Sequence, residues 1–145
     1  MPESGPYRLI FEAAPKLVDM DVIFFGLQDF NSSNSGGTKP QYLVITVRDE
    51  HETVVGGLVG KTYLEWLYVQ ALWPPKELRG RGFGTDLLIA AEHEAVRRGC
   101  GSAWLDTFSF QALPFYQKLG FSVFAQLPEY PHGGTKYFLA KKLRG

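Results

Sequence analysis

The sequence predicts an α/β fold, in which one mixed β-sheet carries helices packed against it. The first half of the chain is rich in short strand patterns, and the second half alternates strand, helix, strand, helix and strand. The length of 145 residues is that of one ordinary domain, and no internal repeat or linker divides it. We therefore expect a single domain over residues 1–145, with about six or seven strands and three or four helices.

The first half of the chain contains four predicted strands and one predicted helix. Tyr7–Ala13 is predicted to be a strand that ends before a proline, and Lys16–Phe30 has an imperfect apolar helix pattern. A small, polar loop with paired glycines follows. Tyr42–Val47 is β-branched and aromatic, as expected of a strand buried on both faces. Thr53–Val59 is predicted to return antiparallel to it, and Leu64–Trp73 is predicted to be a further strand.

The second half begins with the strongest helix pattern in the sequence. Phe83–Arg98 has an apolar stripe at helical spacing and is followed by a glycine, which favours the end of a helix. Ala103–Phe108 is predicted to be a short strand and Phe110–Leu119 a second helix. Two closing strands are predicted at Phe121–Gln126 and Lys136–Leu143.

Composition and charge exclude several classes of protein and site. Fifteen Lys and Arg balance fifteen Asp and Glu, so no electrostatic reason points to nucleic acid or an anionic membrane as partner. One cysteine and three histidines exclude an intramolecular disulfide and the usual zinc sites, so we expect no metal. Cys100 is predicted to be a buried apolar residue. There is no signal-peptide pattern and no apolar run near the roughly 20 residues of a membrane span, so a cytoplasmic protein is expected.

A glycine-rich turn, Arg79–Thr85, separates a strand from the strongest helix. The first N–H groups of a helix lack partners within it, and glycines allow the backbone to approach a bound anion closely. The turn is therefore a candidate phosphate site, and the alternative is a tight turn with solvated arginines. Its glycine spacing is not that of a dinucleotide-binding fold, and no Lys-Ser or Lys-Thr follows as in a Walker loop.

Two motifs in this order resemble the GNAT family of N-acetyltransferases. Arg79-x-x-Gly82-x-Gly84 is similar to that family's acetyl-CoA pyrophosphate motif. The run Phe115–Phe121 is similar to its tyrosine-bearing helix, which is followed by Gly-Phe. One predicted helix and one predicted strand separate the two motifs, as in the family. The similarity covers roughly Leu64–Leu143 well and the first 40 residues poorly.

The resemblance implies an enzyme that moves an acetyl group from acetyl-CoA directly to a primary amine of a small molecule or peptide, through a tetrahedral intermediate. It also implies that two central strands splay apart and that the pantetheine arm lies between them. By this match the backbone N–H of Leu72 points at the thioester carbonyl, where such a donor stabilises developing negative charge. Pro74 departs from the family because it lacks an N–H. The positions matched to acetyl-CoA binding are Leu72, Trp73, Pro74, Arg79, Gly80, Arg81, Gly82, Phe83, Gly84, Thr85, Ser109 and Tyr116.

The resemblance also assigns the proton donor. Tyr116 matches the family's general acid, which protonates the departing thiolate, and the alternative is a tyrosine that only packs between helix and sheet. Ser109 matches a position where relatives often carry an asparagine that bonds the pantetheine, and the shorter serine side chain puts that contact in doubt.

The general base is the least defined part of the site. Some relatives carry a glutamate at the position of Tyr68, and tyrosine is a poor base at neutral pH. We therefore expect an ordered water, held by Tyr68, Gln70 or a backbone carbonyl, to relay the proton. Strict alternation along this strand would place Tyr68, Gln70 and Leu72 on one face. Asp106, Glu129 and His132 are further candidates for the base.

The sequence is also compatible with other functions. The main alternative is a non-catalytic acyl-CoA sensor or interaction module on the same fold, because a fold does not dictate activity. Another is a different nucleotide-phosphate binder. The sequence does not identify the acceptor amine, and the resemblance is compatible with a homodimer because dimers are common in such folds.

Overall fold

A computed structural model describes residues 5–143 of the chain. Its backbone divides into two compact units, residues 1–39 and residues 40–145, and each unit is described by itself. Within residues 5–143, no helix combines the length and apolar character that a membrane span requires. The same residues contain no group of three or more His, Cys, Asp or Glu placed to hold a metal ion.

The described part of the first unit, residues 5–39, contains one helix, α1, at Leu17–Ser33. The helix predicted at Lys16–Phe30 is therefore confirmed, and it continues to Ser33 into the predicted loop. Ser33 and Asn34 donate side-chain hydrogen bonds to the carbonyls of Asp29 and Phe30, which satisfies acceptors in the last turn. The strand predicted at Tyr7–Ala13 is wrong: only Tyr7 makes an isolated bridge, and the rest of the segment has no ladder to hold it extended.

The described part of the second unit, residues 40–143, is built on a six-stranded mixed sheet with helices, which confirms the predicted fold class. All neighbouring strands run antiparallel except the central pair β3 and β4, which run parallel. The spatial order is β1-β2-β3-β4-β6-β5. The strands are β1 Gln41–Arg48, β2 Val54–Tyr63, β3 Trp66–Trp73, β4 Ser102–Phe108, β5 Ser122–Pro128 and β6 Thr135–Lys142.

Two expectations about the first strands of this sheet require correction. β1 is an edge strand, so it is not buried on both faces: Leu43 is buried, whereas Tyr42 and Val44 are exposed. β3 begins two residues later than predicted because Leu64 and Glu65 form the turn from β2. Both residues have positive φ, as the tight turns of two-residue hairpins require.

Helix α2, Phe83–Arg97, covers the β1–β3 part of the sheet with the predicted apolar stripe. Its buried residues pack in one core with side chains of β1 to β4 and with Cys100, whose predicted burial is confirmed. Glu94 pairs with Arg98, as its spacing predicts, and also with Arg97. These two arginines lower the pKa of Glu94 to about 2.

Helix α3, Leu113–Lys118, is shorter than the predicted helix at Phe110–Leu119. The three residues before it form a turn that begins at the end of β4, and Pro114 stands in its first turn. α3 thus places Tyr116 near the carboxyl ends of the central strands, where the predicted site lies.

Candidate active site

The central strands β3 and β4 separate part-way along their length. Their parallel pairing runs from Trp66 opposite Ser102 to Val69 opposite Leu105, while β3 continues to Trp73 beside β2. The last four residues of β3 therefore present one backbone edge that pairs with no strand among residues 5–143. This is the splayed central pair that the sequence analysis predicts.

A β-bulge in β3 accompanies the separation. Val59 of β2 pairs with Ala71 and Gly60 pairs with Val69, which leaves Gln70 as the extra residue. The bulge reverses the alternation after it, so Leu72 packs towards the hydrophobic core and does not share a face with Tyr68. The expectation that Tyr68, Gln70 and Leu72 lie on one face is therefore wrong.

A cleft of about 860 Å³ opens between the separated strands, α3 and the start of α2. This volume lies in the usual range for small-molecule and coenzyme sites. The structure brings most of the predicted residues to its walls: Leu72, Trp73, Pro74, Arg79, Gly80, Gly82, Phe83, Gly84, Thr85 and Tyr116. The remaining predicted residues, Arg81, Ser109 and Tyr68, are not among those that line it.

The glycine-rich turn leads into the first turn of α2 at one end of the cleft. Gly80 and Gly82 both have a φ of +82°, a conformation that side chains other than glycine rarely adopt. A Cβ atom at either position would meet no protein atom within 4 Å, so the space above both glycines is open. Gly82 is the N-cap of α2 and supplies no side-chain hydrogen bond. The first N–H groups of the helix are therefore available to an anion in the cleft.

Tyr116 lies on α3 at the same cleft, half-buried against the rings of Phe115 and Phe121. Burial raises the pKa of the Tyr116 hydroxyl, and the negative charge of Asp106 raises it further. The hydroxyl is therefore protonated throughout the neutral range. The ring of Tyr116 is packed and the residue also lines the cleft, so its packing does not exclude a catalytic role.

The end of β4 is held by two polar side chains. The Ser109 hydroxyl accepts a hydrogen bond from the Thr135 N–H at 3.1 Å, which ties the end of β4 to β6 outside the cleft. The Gln111 carbonyl accepts from the Phe108 N–H at 2.8 Å and from the Thr107 hydroxyl at 3.0 Å. Gln111 lines the cleft, and sequence reasoning missed it. Its position three residues after a strand end, where a side chain can reach back to the backbone, is the signal that could have found it.

A polar cluster lies on the sheet face that carries Tyr68. The Tyr68 ring stacks on Trp104 with centroids 4.1 Å apart, and its hydroxyl donates a hydrogen bond to Asp106 Oδ2 at 3.0 Å. Burial and the Asp106 carboxylate raise the pKa of Tyr68 to about 12, so Tyr68 does not act as a base near neutral pH. Lys136 Nζ lies 3.5 Å from Asp106 Oδ1.

The candidate bases differ in where the structure places them. Asp106 and Gln70 line the cleft. Glu129 and His132 contact each other on the loop between β5 and β6, with side chains 62% and 97% exposed, and do not line it.

Comparisons with known proteins agree with this geometry. The model of the Acetyltransferase (GNAT) family matches residues 15–121. The chain is 39% identical over 113 residues to an acetyltransferase of Agrobacterium fabrum, covering 78% of this chain and 82% of that protein. It is 40% identical over 95 residues to the blasticidin-S acetyltransferase of Streptomyces morookaense, covering 65% of this chain and 70% of that protein. The crystal structure of a protein of Agrobacterium tumefaciens assigned as an acetyltransferase superposes with a TM-score of 0.88 at 34% identity, covering 94% of this chain and 99% of that chain.

Proposed function

The chain belongs to the GNAT acetyltransferase family and is an acyltransferase, and on this basis we propose that it moves an acetyl group from acetyl-CoA directly to a primary amine of a small molecule or peptide. The observation that carries the proposal is the cleft itself. It runs from the amino terminus of α2, which has no side-chain cap and has open space above Gly80 and Gly82, to the half-buried Tyr116.

The end of the cleft at the start of α2 is suited to bind the diphosphate of acetyl-CoA. The backbone N–H groups of Gly82–Thr85 and the positive end of the α2 dipole attract an anion, and the Arg79 side chain adds a positive charge on the same wall. The pantetheine arm would then follow the unpaired edge of β3 along Leu72, Trp73 and Pro74. Arg81 and Ser109 do not line the cleft and take no direct part in this proposal.

Gln111 can offer a hydrogen-bond donor in the cleft, which Ser109 cannot because it does not line the cleft. The Phe108 N–H can only donate, so it fixes the carbonyl side of the Gln111 amide on the strand end. The amide NH₂ group is then left to donate to a ligand in the cleft. We assign to Gln111 the pantetheine contact that an asparagine makes in relatives at the position of Ser109.

In the proposed reaction the Leu72 N–H donates a hydrogen bond to the thioester oxygen, and the Tyr116 hydroxyl donates a proton to the sulfur. The amine nitrogen attacks the carbonyl carbon and forms a tetrahedral intermediate, whose negative oxygen is stabilised by the Leu72 N–H, by about 3–4 kcal/mol for a well-placed donor. When the C–S bond breaks, the thiolate takes a proton from the Tyr116 hydroxyl. A phenol held protonated by burial is suited to this role.

For the acceptor, the relative named as a blasticidin-S acetyltransferase makes blasticidin S the first candidate, within the wider class of small amine-bearing molecules. The test is a panel of primary amines that includes blasticidin S, assayed with acetyl-CoA by the release of free thiol. We expect amine-dependent thiol release with at least one member. Acetyl-CoA binding without turnover on any amine would favour the sensor alternative instead.

We propose that residues 1–145 work as a single acetyltransferase domain, although the backbone divides into two compact units. The match to the family model supports this because it crosses the boundary between the units, from residue 15 to residue 121. The homodimer remains a prediction, which sedimentation equilibrium would check.

A further inference from the structure

One carboxylate lies in the cleft beside the place where the central strands part. Asp106 follows Leu105, the last residue of β4 that pairs with β3, and it lines the cleft together with Tyr116. Among the described residues that line the cleft, its side chain is the only acidic one. Any amine that reaches the thioester from this side would meet this carboxylate.

The Asp106 side chain is held at both oxygens. Oδ2 accepts the Tyr68 hydroxyl at 3.0 Å, and Oδ1 lies 3.5 Å from Lys136 Nζ. Tyr68 is in turn fixed by its stack on Trp104. A carboxylate oxygen has more than one acceptor site, so both oxygens can accept a further hydrogen bond from a ligand.

Lys136 is itself fixed in position. Its ammonium lies over the rings of Phe108, Tyr130 and Phe138, with Nζ 5.3, 4.9 and 5.7 Å from the three ring centroids. Such rings attract a cation and restrict its movement. The Lys136 ammonium is therefore held next to Asp106 by its packing against these rings.

The titratable groups that face Asp106 come from three elements: Tyr68 on β3, Lys136 on β6 and Tyr116 on α3. The negative charge of Asp106 raises the pKa of the Tyr116 hydroxyl, so the two groups interact electrostatically.

Building on the proposed function, we infer that Asp106 is the catalytic residue that receives the acceptor amine and takes its proton. The carboxylate accepts a hydrogen bond from the amine N–H. As the nitrogen lone pair forms the C–N bond, the N–H bond breaks and its proton passes to Asp106. When the C–S bond breaks, the thiolate takes the Tyr116 proton. After the products have left, Asp106 releases its proton to solvent and the Tyr116 phenolate takes one up, so amine and thioester give amide and thiol with no net proton change.

Lys136 favours the reactive form of the amine. A free alkylamine has a pKa near 10.4 and is mostly protonated at neutral pH, and the protonated form has no lone pair to attack. An ammonium held beside the same carboxylate disfavours a second positive charge there. The acceptor is therefore bound as the neutral amine, which is the nucleophile that the reaction needs.

The test measures acetylation of the most active amine of the panel by the wild type, Asp106→Asn and Asp106→Ala. The Asn variant keeps the shape of the side chain and removes its basicity. We expect its kcat to fall by about 100-fold or more, with acetyl-CoA affinity and thermal unfolding close to wild type. Added formate should restore a large part of the activity of Asp106→Ala, because a small carboxylate can occupy the space left by the side chain.

Glu129→Gln is the matched control, since it neutralises an exposed carboxylate that does not line the cleft, and it should keep wild-type activity. A kcat for Asp106→Asn within about threefold of wild type would overturn the assignment. Parallel losses of acetyl-CoA binding and activity in that variant would also overturn it. So would an Asp106→Ala variant that folds but whose activity formate does not restore. A wild type that acetylates no amine would instead refute the proposed function, and this inference with it.

Discussion

At the scale of single residues, the proposed mechanism depends on a tyrosine that stays protonated. Burial and the Asp106 charge both raise the pKa of Tyr116 above its ordinary value near 10. A general acid works below its pKa, so the raised value extends its working range to higher pH. We expect no loss of kcat through Tyr116 ionisation between about pH 6 and pH 9.

The direct test of this residue is Tyr116→Phe, which removes the hydroxyl and keeps the ring contacts with Phe115 and Phe121. We expect kcat to fall by about 100-fold, with the affinity for acetyl-CoA little changed, because proton transfer is lost and binding is not. Tyr42→Phe removes a hydroxyl from an exposed ring on the edge strand and serves as control. Unchanged turnover in Tyr116→Phe would remove the tyrosine from the mechanism.

At the scale of the elements, the amino terminus of α2 is the proposed anion site. Gly82→Asp places a side chain and a negative charge in the open space where the diphosphate is proposed to bind. We expect acetyl-CoA binding, measured by calorimetry, to weaken by about 100-fold or more, since both the steric clash and the charge oppose a diphosphate.

Gly99→Asp is the matched control for that variant. Gly99 lies just beyond the other end of α2, also has a positive φ of 96°, and a Cβ there would also meet no protein atom within 4 Å. The backbone strain is therefore similar, and thermal unfolding shows whether both variants fold. Normal acetyl-CoA affinity in Gly82→Asp would mean that the phosphates bind elsewhere.

At the scale of the whole molecule, the sequence predicts the sheet, the long helix and most of the residues that line the cleft where the diphosphate is proposed to bind. Those residues follow from a turn motif that is continuous along the chain, so local spacing identifies them. The bulge at Gln70 escapes prediction because alternation assumes a regular strand, and it moves Leu72 to the other face. The Asp106–Tyr68–Lys136 cluster joins three strands that are distant in sequence, so only their pairing reveals it. Tyr7–Ala13 has residues that favour a strand, but it forms none because the segment does not pair along its length with another strand among the described residues.

A crystal structure of the protein with coenzyme A is the sharpest test of the proposed binding mode. We expect the diphosphate within hydrogen-bond distance of the backbone N–H groups at the start of α2. We also expect the pantetheine along residues 72–74 and the sulfur next to the Tyr116 hydroxyl. Coenzyme A bound outside the cleft between β3 and β4, or its sulfur far from Tyr116, would contradict the account.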